Sequence, residues 1–312
     1  MHATPFASAS RDSATIGFTA MPDKAAGLVP LLATNCTFEK WDINDAIKLS
    51  KIEAEVADTN AGTVFTEAMY SAAYGAQSSY GKSYFNVASK ASIQSFNERA
   101  YGVSGAVLSA TGVSDHESFV KAVEEGLSES AVSSVSGGTA SEFIAGECRI
   151  HDGSAGFANI ALGFKLESSM AVANVVQHCS QLAGANACIT TGIVGVYGSS
   201  SASDASSSVD GLCTAVTSAP SADMVKRAKA LAKAEALFGL EDGSQSLANV
   251  MATNVLESGS FSAAGLAEAY DSISDKDVAE AIDAISKSRP AMAAIGNISD
   301  VPYHGSIVSR FD

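Results

Sequence analysis

Paired cysteines, basic residues and long apolar runs are all scarce in this chain of 312 residues. Cys36, Cys148, Cys179, Cys188 and Cys213 stand singly, with no Cys-x-x-Cys pair. That spacing excludes a zinc finger and a redox dithiol, and five lone thiols read as buried free cysteines in a reducing compartment. Nineteen Lys and Arg face 34 Asp and Glu, giving a formal charge of -15 and a pI near 4.7. Such a balance repels phosphate and leaves no basic stripe, so nucleic acid is excluded as a partner. No run reaches the roughly 18–20 apolar residues of a spanning helix. The best attempt, residues 189–196, has the length of a strand and is broken by Gly192 and Gly195. Residues 1–12 hold one Arg and lack both the apolar core of a secretory signal and the repeated arginines of a mitochondrial presequence, so they say little about location.

What is present is a folding chain. Apolar residues make up 46% and aromatics 7%, with a mean hydropathy of +0.15. This composition excludes disorder, and the length is that of two domains with a core each. Residues 13–20 alternate as a strand, and Pro22-Asp23 opens a helix through Leu32. Residues 41–74 read as two helices interrupted near 58–62, and residues 106–110 as an apolar strand. Ser114-Asp115 caps a helix over 116–127, whose Phe119, Val120, Val123 and Leu127 form one apolar stripe. Residues 130–141, small and containing Gly137-Gly138, are linker-like.

Two strands follow, at 142–150 and 156–164, joined by His151-Asp152-Gly153. A helix over 168–182 and a glycine-broken strand over 187–197 come next, then a serine-rich loop at 198–208. Helices at 221–240, 244–256, 262–270 and 275–287 and a strand at 291–296 complete the pattern. Segregated strands and helices predict an α+β fold with helices on one face of a sheet.

An internal repeat divides the chain. Ser89–Asp115 aligns without a gap on Ser274–Asp300 at an offset of 185. Ile93 meets Val278, Val107 meets Met292, and Ser114-Asp115 meets Ser299-Asp300. Upstream, an offset of 182 sets Lys51-Ile52-Glu53-Ala54 against Lys233-Ala234-Glu235-Ala236. The expected organisation is a first, N-terminally incomplete domain over 1–129, a linker over 130–141 and a second domain over 142–312. The first copy lacks counterparts of the second copy's two opening strands and the helix after them. A segment of the same gene product or another subunit is expected to supply them.

No complete active site is visible. His2, His116, His151, His178 and His304 are dispersed, and none forms the helical His pair that zinc needs. The glycines of residues 192–198 lack the Lys-Ser/Thr of a phosphate loop, and no Gly-x-Ser-x-Gly elbow exists. Glu53 and Glu55, beside Lys48 and Lys51, read as a solvated, salt-bridged helix face. Lys226, Arg227 and Lys233 with Glu235 read the same way.

Residues 38–41 (FEKW) and 70–75 (YSAAYG) resemble the pitrilysin/insulinase-type, processing-peptidase-like metallopeptidase family. So do residues 107–116 (VLSATGVSDH), 146–149 (GECR), 157–164 (FANIALGF) and 291–303 (AMAAIGNISDVPY). The last stretch is most similar to the branch of non-peptidase core subunits of mitochondrial ubiquinol–cytochrome c reductase. The resemblance implies tandem duplicated α/β domains, in agreement with the repeat. Active members bind zinc through His-x-x-Glu-His and a downstream Glu. Glu53 matches that downstream position, and Ala46 stands where active members carry a supporting Glu. With no His-x-x-Glu-His in the chain, the resemblance implies no catalytic, metal or cofactor site. Glu53 is then a relic or a structural residue. The implied role is a matrix-side, peripheral scaffold beside a core subunit 1-like chain, without a membrane span. The alternative is a non-catalytic, presequence-binding α-subunit of the mitochondrial processing peptidase, whose glycine-rich loop would correspond to residues 184–198.

Overall fold

The computed structural model describes residues 3–34, 40–85, 93, 95–96, 105–128, 141–165, 167–190 and 192–311. The chain divides into two compact units, each discontinuous in sequence. One comprises residues 1–55, 85–138 and 238–262, the other residues 56–84, 139–237 and 263–312.

The second unit is built on a five-stranded sheet. Its strands are β3 (Glu147–His151), β4 (Ala158–Lys165), β5 (Asn186–Thr190), β6 (Ile193–Ser200) and β7 (Ala291–Gly296). Their order is β3-β7-β4-β6-β5, and only the β3–β7 pair is parallel. The strands on either side of His151-Asp152-Gly153 are therefore not neighbours, because β7 lies between them. Its Ala291–Ala294 stretch, three alanines and Met292, is fully buried and suits a central position.

One face of this sheet presents Ile160, Leu162, Phe164, Val194, Val196 and Met292 to the largest core cluster. Helices α5 (Met170–Leu182), α6 (Ala205–Thr217) and α10 (Asp275–Ser286) contribute to that core. Ser169 caps α5 through Val172 N–H, and Ser274 and Asp277 form a reciprocal capping box on α10. The opposite face is covered by α3 (Ala61–Tyr74), whose Tyr70, Ala73 and Tyr74 cluster with Ile193 and Ala291. The sequence expectation of helices on one face is corrected here. Strands buried on both sides, such as β7, call for cover on both sides. Gly163 allows the close approach of α3, since a Cβ there would lie 2.7 Å from Met69 Sδ and 2.9 Å from Ile193 Cγ2.

Two further expectations change in this unit. The broken strand at 187–197 is a hairpin, β5 and β6, with Gly192 at φ 70° before β6. The expected loop at 198–208 holds the end of β6, a 3-10 turn (Ala202–Asp204) and the start of α6. Ala205, Val209, Leu212 and Val216 recur at helical spacing and are buried, while Ser206 and Ser207 face outward. The serines hide an ordinary amphipathic helix.

The first unit contains the antiparallel pair β1 (Ala3–Ala9) and β2 (Ala14–Ala20), then a 3-10 turn (Pro22–Lys24). It also holds α1 (Ala25–Thr34), most of α2 (Lys40–Thr59), α4 (His116–Leu127) and α8 (Ser244–Ser258). Asp115 caps α4 through Ser118 N–H, and Gly126 lets α4 lie against Pro30 of α1. Phe119, Val123 and Leu127 are half-buried, whereas Val120 is exposed. Residues 106–110 are not a strand. Ser109 Oγ instead donates to Ala248 O of α8, and Thr111 Oγ1 to Ser244 O.

The element order repeats between the two halves. The hairpin β1–β2, the 3-10 turn, α1, the 20-residue α2 and α3 follow one another as do β5–β6, a 3-10 turn, α6, the 20-residue α7 (Ala222–Glu241) and α8. Helix α2 begins at Lys40 and α7 at Ala222, the same 182-residue offset that the sequence shows.

Candidate functional site

The second unit brings polar side chains together where α5, α7 and α9 (Ala263–Asp271) meet. His178 on α5 is nearly buried, and its Nε2 lies 2.9 Å from Glu235 Oε2 on α7. One turn earlier on α5, Asn174 Nδ2 donates to Tyr270 Oη of α9 at 2.7 Å. Burial pushes the Tyr270 phenol above its ordinary range, so at neutral pH it stays protonated. Lys233 Nζ pairs with Asp271 at 2.6 Å, and Lys229 Nζ donates to Ile273 O. An open groove beside them is lined by Lys226, Lys229, Lys233, Tyr270, Asp271 and Asp275. Two of its three lysines are already committed to protein partners, so it is not an anion cradle.

Glu235 and Lys233 thus bond across helices, where the sequence suggests a salt-bridged face along α7 itself. The signal for His178 was its place on the apolar side of an amphipathic helix, since a polar group there needs a partner. One imidazole and one carboxylate are two metal donors, short of the three protein ligands of a hydrolytic zinc site.

Glu53, which the sequence resemblance leads one to expect at a zinc-ligand position, is exposed on α2, as are Ala46 and Glu55. Lys48 pairs with Asp45 at 2.8 Å. Among the described residues no three His, Cys, Asp or Glu side chains lie close enough to hold a metal ion. His116 is exposed at the start of α4, His151 is exposed at the end of β3, and His304 Nε2 donates to Pro290 O at 2.7 Å. Cys148, Cys179, Cys188 and Cys213 are free thiols. Burial raises all four, Cys179 to about 11, so none is a thiolate nucleophile at neutral pH. His2 and Cys36 lie outside the described residues.

Sequence reading missed the role of Arg149. From β3 its guanidinium donates to Pro302 O at 3.0 Å, Ile298 O at 3.2 Å and Val301 O at 2.9 Å. It also pairs with Glu147 at 2.9 Å and lies over the Tyr303 ring. The fork ties the segment after β7 to the opposite edge of the sheet from β5. No helix among the described residues is long and apolar enough to cross a membrane.

No family model matches the chain. A curated relative is a probable mitochondrial-processing peptidase subunit alpha-2, chloroplastic/mitochondrial, from Arabidopsis thaliana. It is 24% identical over 354 aligned positions, covering 98% of this chain and 70% of the relative. Among solved structures, a chain of complex III2 from Candida albicans, with Inz-5 bound, superposes with a TM-score of 0.80. That match is 15% identical in sequence and covers 99% of this chain and 86% of that one. The chain therefore has the processing-peptidase-like α+β fold.

Proposed function

We propose that the chain is a non-catalytic core subunit of the mitochondrial ubiquinol–cytochrome c reductase complex. The observation that carries this reading is the superposition of 99% of the chain on a chain of complex III2. In this role it lies peripherally on the matrix side of the inner membrane, beside a core subunit 1-like chain. Its work is mechanical: it supports assembly and stability and passes no electrons. The chemistry of its side chains suits that role. Glu53 stands without a histidine pair in the sequence, His178 and Glu235 satisfy each other, and the described thiols are protonated.

The relative from Arabidopsis thaliana favours a second reading, a presequence-binding α-subunit for a zinc-bearing partner. A charge of -15 suits basic presequences. The comparable glycine-containing region weighs against it, because residues 186–190 and 193–200 are paired strands of the sheet, not a loop.

Depletion of the chain in its source organism separates the two. The core-subunit reading expects assembled reductase to fall in step with the chain, while turnover per remaining complex stays constant. Presequence cleavage that stops when the chain is depleted, with reductase assembly intact, supports the second reading instead.

A further inference from the structure

The boundaries of the two units fall at matching places in the repeat. The first unit gives way to the second between Glu55 and Val56, inside α2. The second gives way to the first between Leu237 and Phe238, inside α7. Val56 and Phe238 lie 182 residues apart, the offset that relates the two halves of the chain. Helix α3, which follows α1 and α2 in the first half, therefore belongs to the second unit. Its counterpart α8, which follows α6 and α7 in the second half, belongs to the first. Each half has given one helix to the other.

Both helices sit on the same kind of seat. Tyr70, Ala72, Ala73 and Tyr74 of α3 cluster with Ala291 of β7 and Ile193 of β6. The 185-residue offset matches β7 to residues 106–111, and these are the residues that hold α8. Ser109 Oγ donates to Ala248 O at 2.7 Å and Thr111 Oγ1 to Ser244 O at 3.1 Å. In each unit the helix from one half of the chain thus lies against β7, or the counterpart of β7, from the other half.

Groups from the second half also close the end of α3. Ile144 N–H donates to Ala73 O and Gly146 N–H to Ala72 O, each at 2.8 Å, so two carbonyls that the helix leaves open find partners. The Tyr74 ring centroid lies 5.8 Å from that of Phe143, edge-on, and 5.2 Å from that of Tyr80. Tyr80 N–H donates to Ser141 Oγ at 3.2 Å. The joints on the other side are short. Only Asn60 stands between α2 and α3, and only Asp242 and Gly243 between α7 and α8.

We infer that this exchange makes the two units one cooperative folding unit. Units joined by a plain linker open independently. Here, opening the second unit unseats α3 and pulls on α2, while opening the first unseats α8 and pulls on α7. Both units therefore lose structure together, and the exchanged helices hold the two halves of the chain to each other without the peptide link between them. Neither the repeat nor the exchange depends on the respiratory-complex reading.

The test uses the full chain with a protease site inserted within residues 130–140, before and after cleavage. At micromolar concentration the two fragments should elute together at the size of the uncut chain and separate only in denaturant. On dilution, the slowest-exchanging amides of α4, in the first unit, and of β4, in the second, should lose protection together. In the uncut chain, Tyr74→Ala should speed exchange at both sites by a similar factor, on the order of 10-fold or more. If Tyr74→Ala fails to fold, Gly163→Ala, a milder lesion in the same seat, carries the comparison. Fragments that separate in native buffer overturn the inference. So does protection lost in one unit before the other, or a variant of the α3 seat that speeds exchange at β4 alone.

Discussion

His178 Nε2 stands 2.9 Å from Glu235 Oε2, whereas Glu53, in the corresponding place 182 residues earlier, is exposed on α2. The two glutamates occupy equivalent positions on helices of equal length. Among the described residues only the second has an imidazole within hydrogen-bond reach. Glu235 thus serves as one half of an interhelical hydrogen bond.

That pair predicts a small energetic effect and no metal site. Glu235 is 70% exposed, so Glu235→Gln should cost at most about 1 kcal/mol in denaturant unfolding. After dialysis against zinc, metal analysis of the full chain should find it substoichiometric. Zinc bound one to one, and lost in Glu235→Gln, would mean that a third ligand completes a site.

Arg149→Ala should be more damaging. It leaves the carbonyls of Ile298, Val301 and Pro302 without their shared donor, a loss of about 2–3 kcal/mol. Arg149→Lys should recover little of it, because one ammonium cannot span three acceptors as a planar fork does. Limited proteolysis should show the first cut of the alanine variant moving into residues 297–311.

Gly163→Ala tests the packing of α3 on the sheet. The new methyl meets Met69 and Ile193, so unfolding free energy should fall by about 1–3 kcal/mol. Met69→Ala in the same chain should relieve part of that cost. A double-mutant cycle should then give a non-zero coupling between the two positions.

The cap of α10 predicts a contribution to acid stability. Asp277 accepts from Ser274 N and Oγ, both at 2.7 Å, and these bonds hold its carboxyl below the ordinary value of 3.8. Its stabilising contribution is therefore present above that value and is lost as pH falls through the lower, folded-state value. Asp277→Asn should flatten that part of the acid limb, read as Tm between about pH 5 and pH 2.

Much of this fold is legible residue by residue. Ser114-Asp115 marks the start of α4, the break near Asn60 separates α2 from α3, and the apolar run at Ala291 gives β7. Each is a local signal, a cap or a periodicity. Failures arise where neighbours decide. β1 is hidden because Ala, Ser and Pro5 carry little strand pattern, and α6 because Ser206–Ser208 resemble loop filler. Residues 106–110 have a strand's pattern without its pairing. The insertion of β7 between β3 and β4, and the cover that α3 gives the second face, are long-range facts that no window of sequence contains. Of the candidate site, Glu53 is legible through resemblance. The partnership of His178 with Glu235 is not, because 57 residues separate them.

Stoichiometry tests the proposed membership of a respiratory complex most directly. Ubiquinol–cytochrome c reductase purified from the source organism should contain this chain in equimolar amount with its cytochrome subunits, by quantitative mass spectrometry. A fully assembled, active reductase from which the chain is absent would contradict the account.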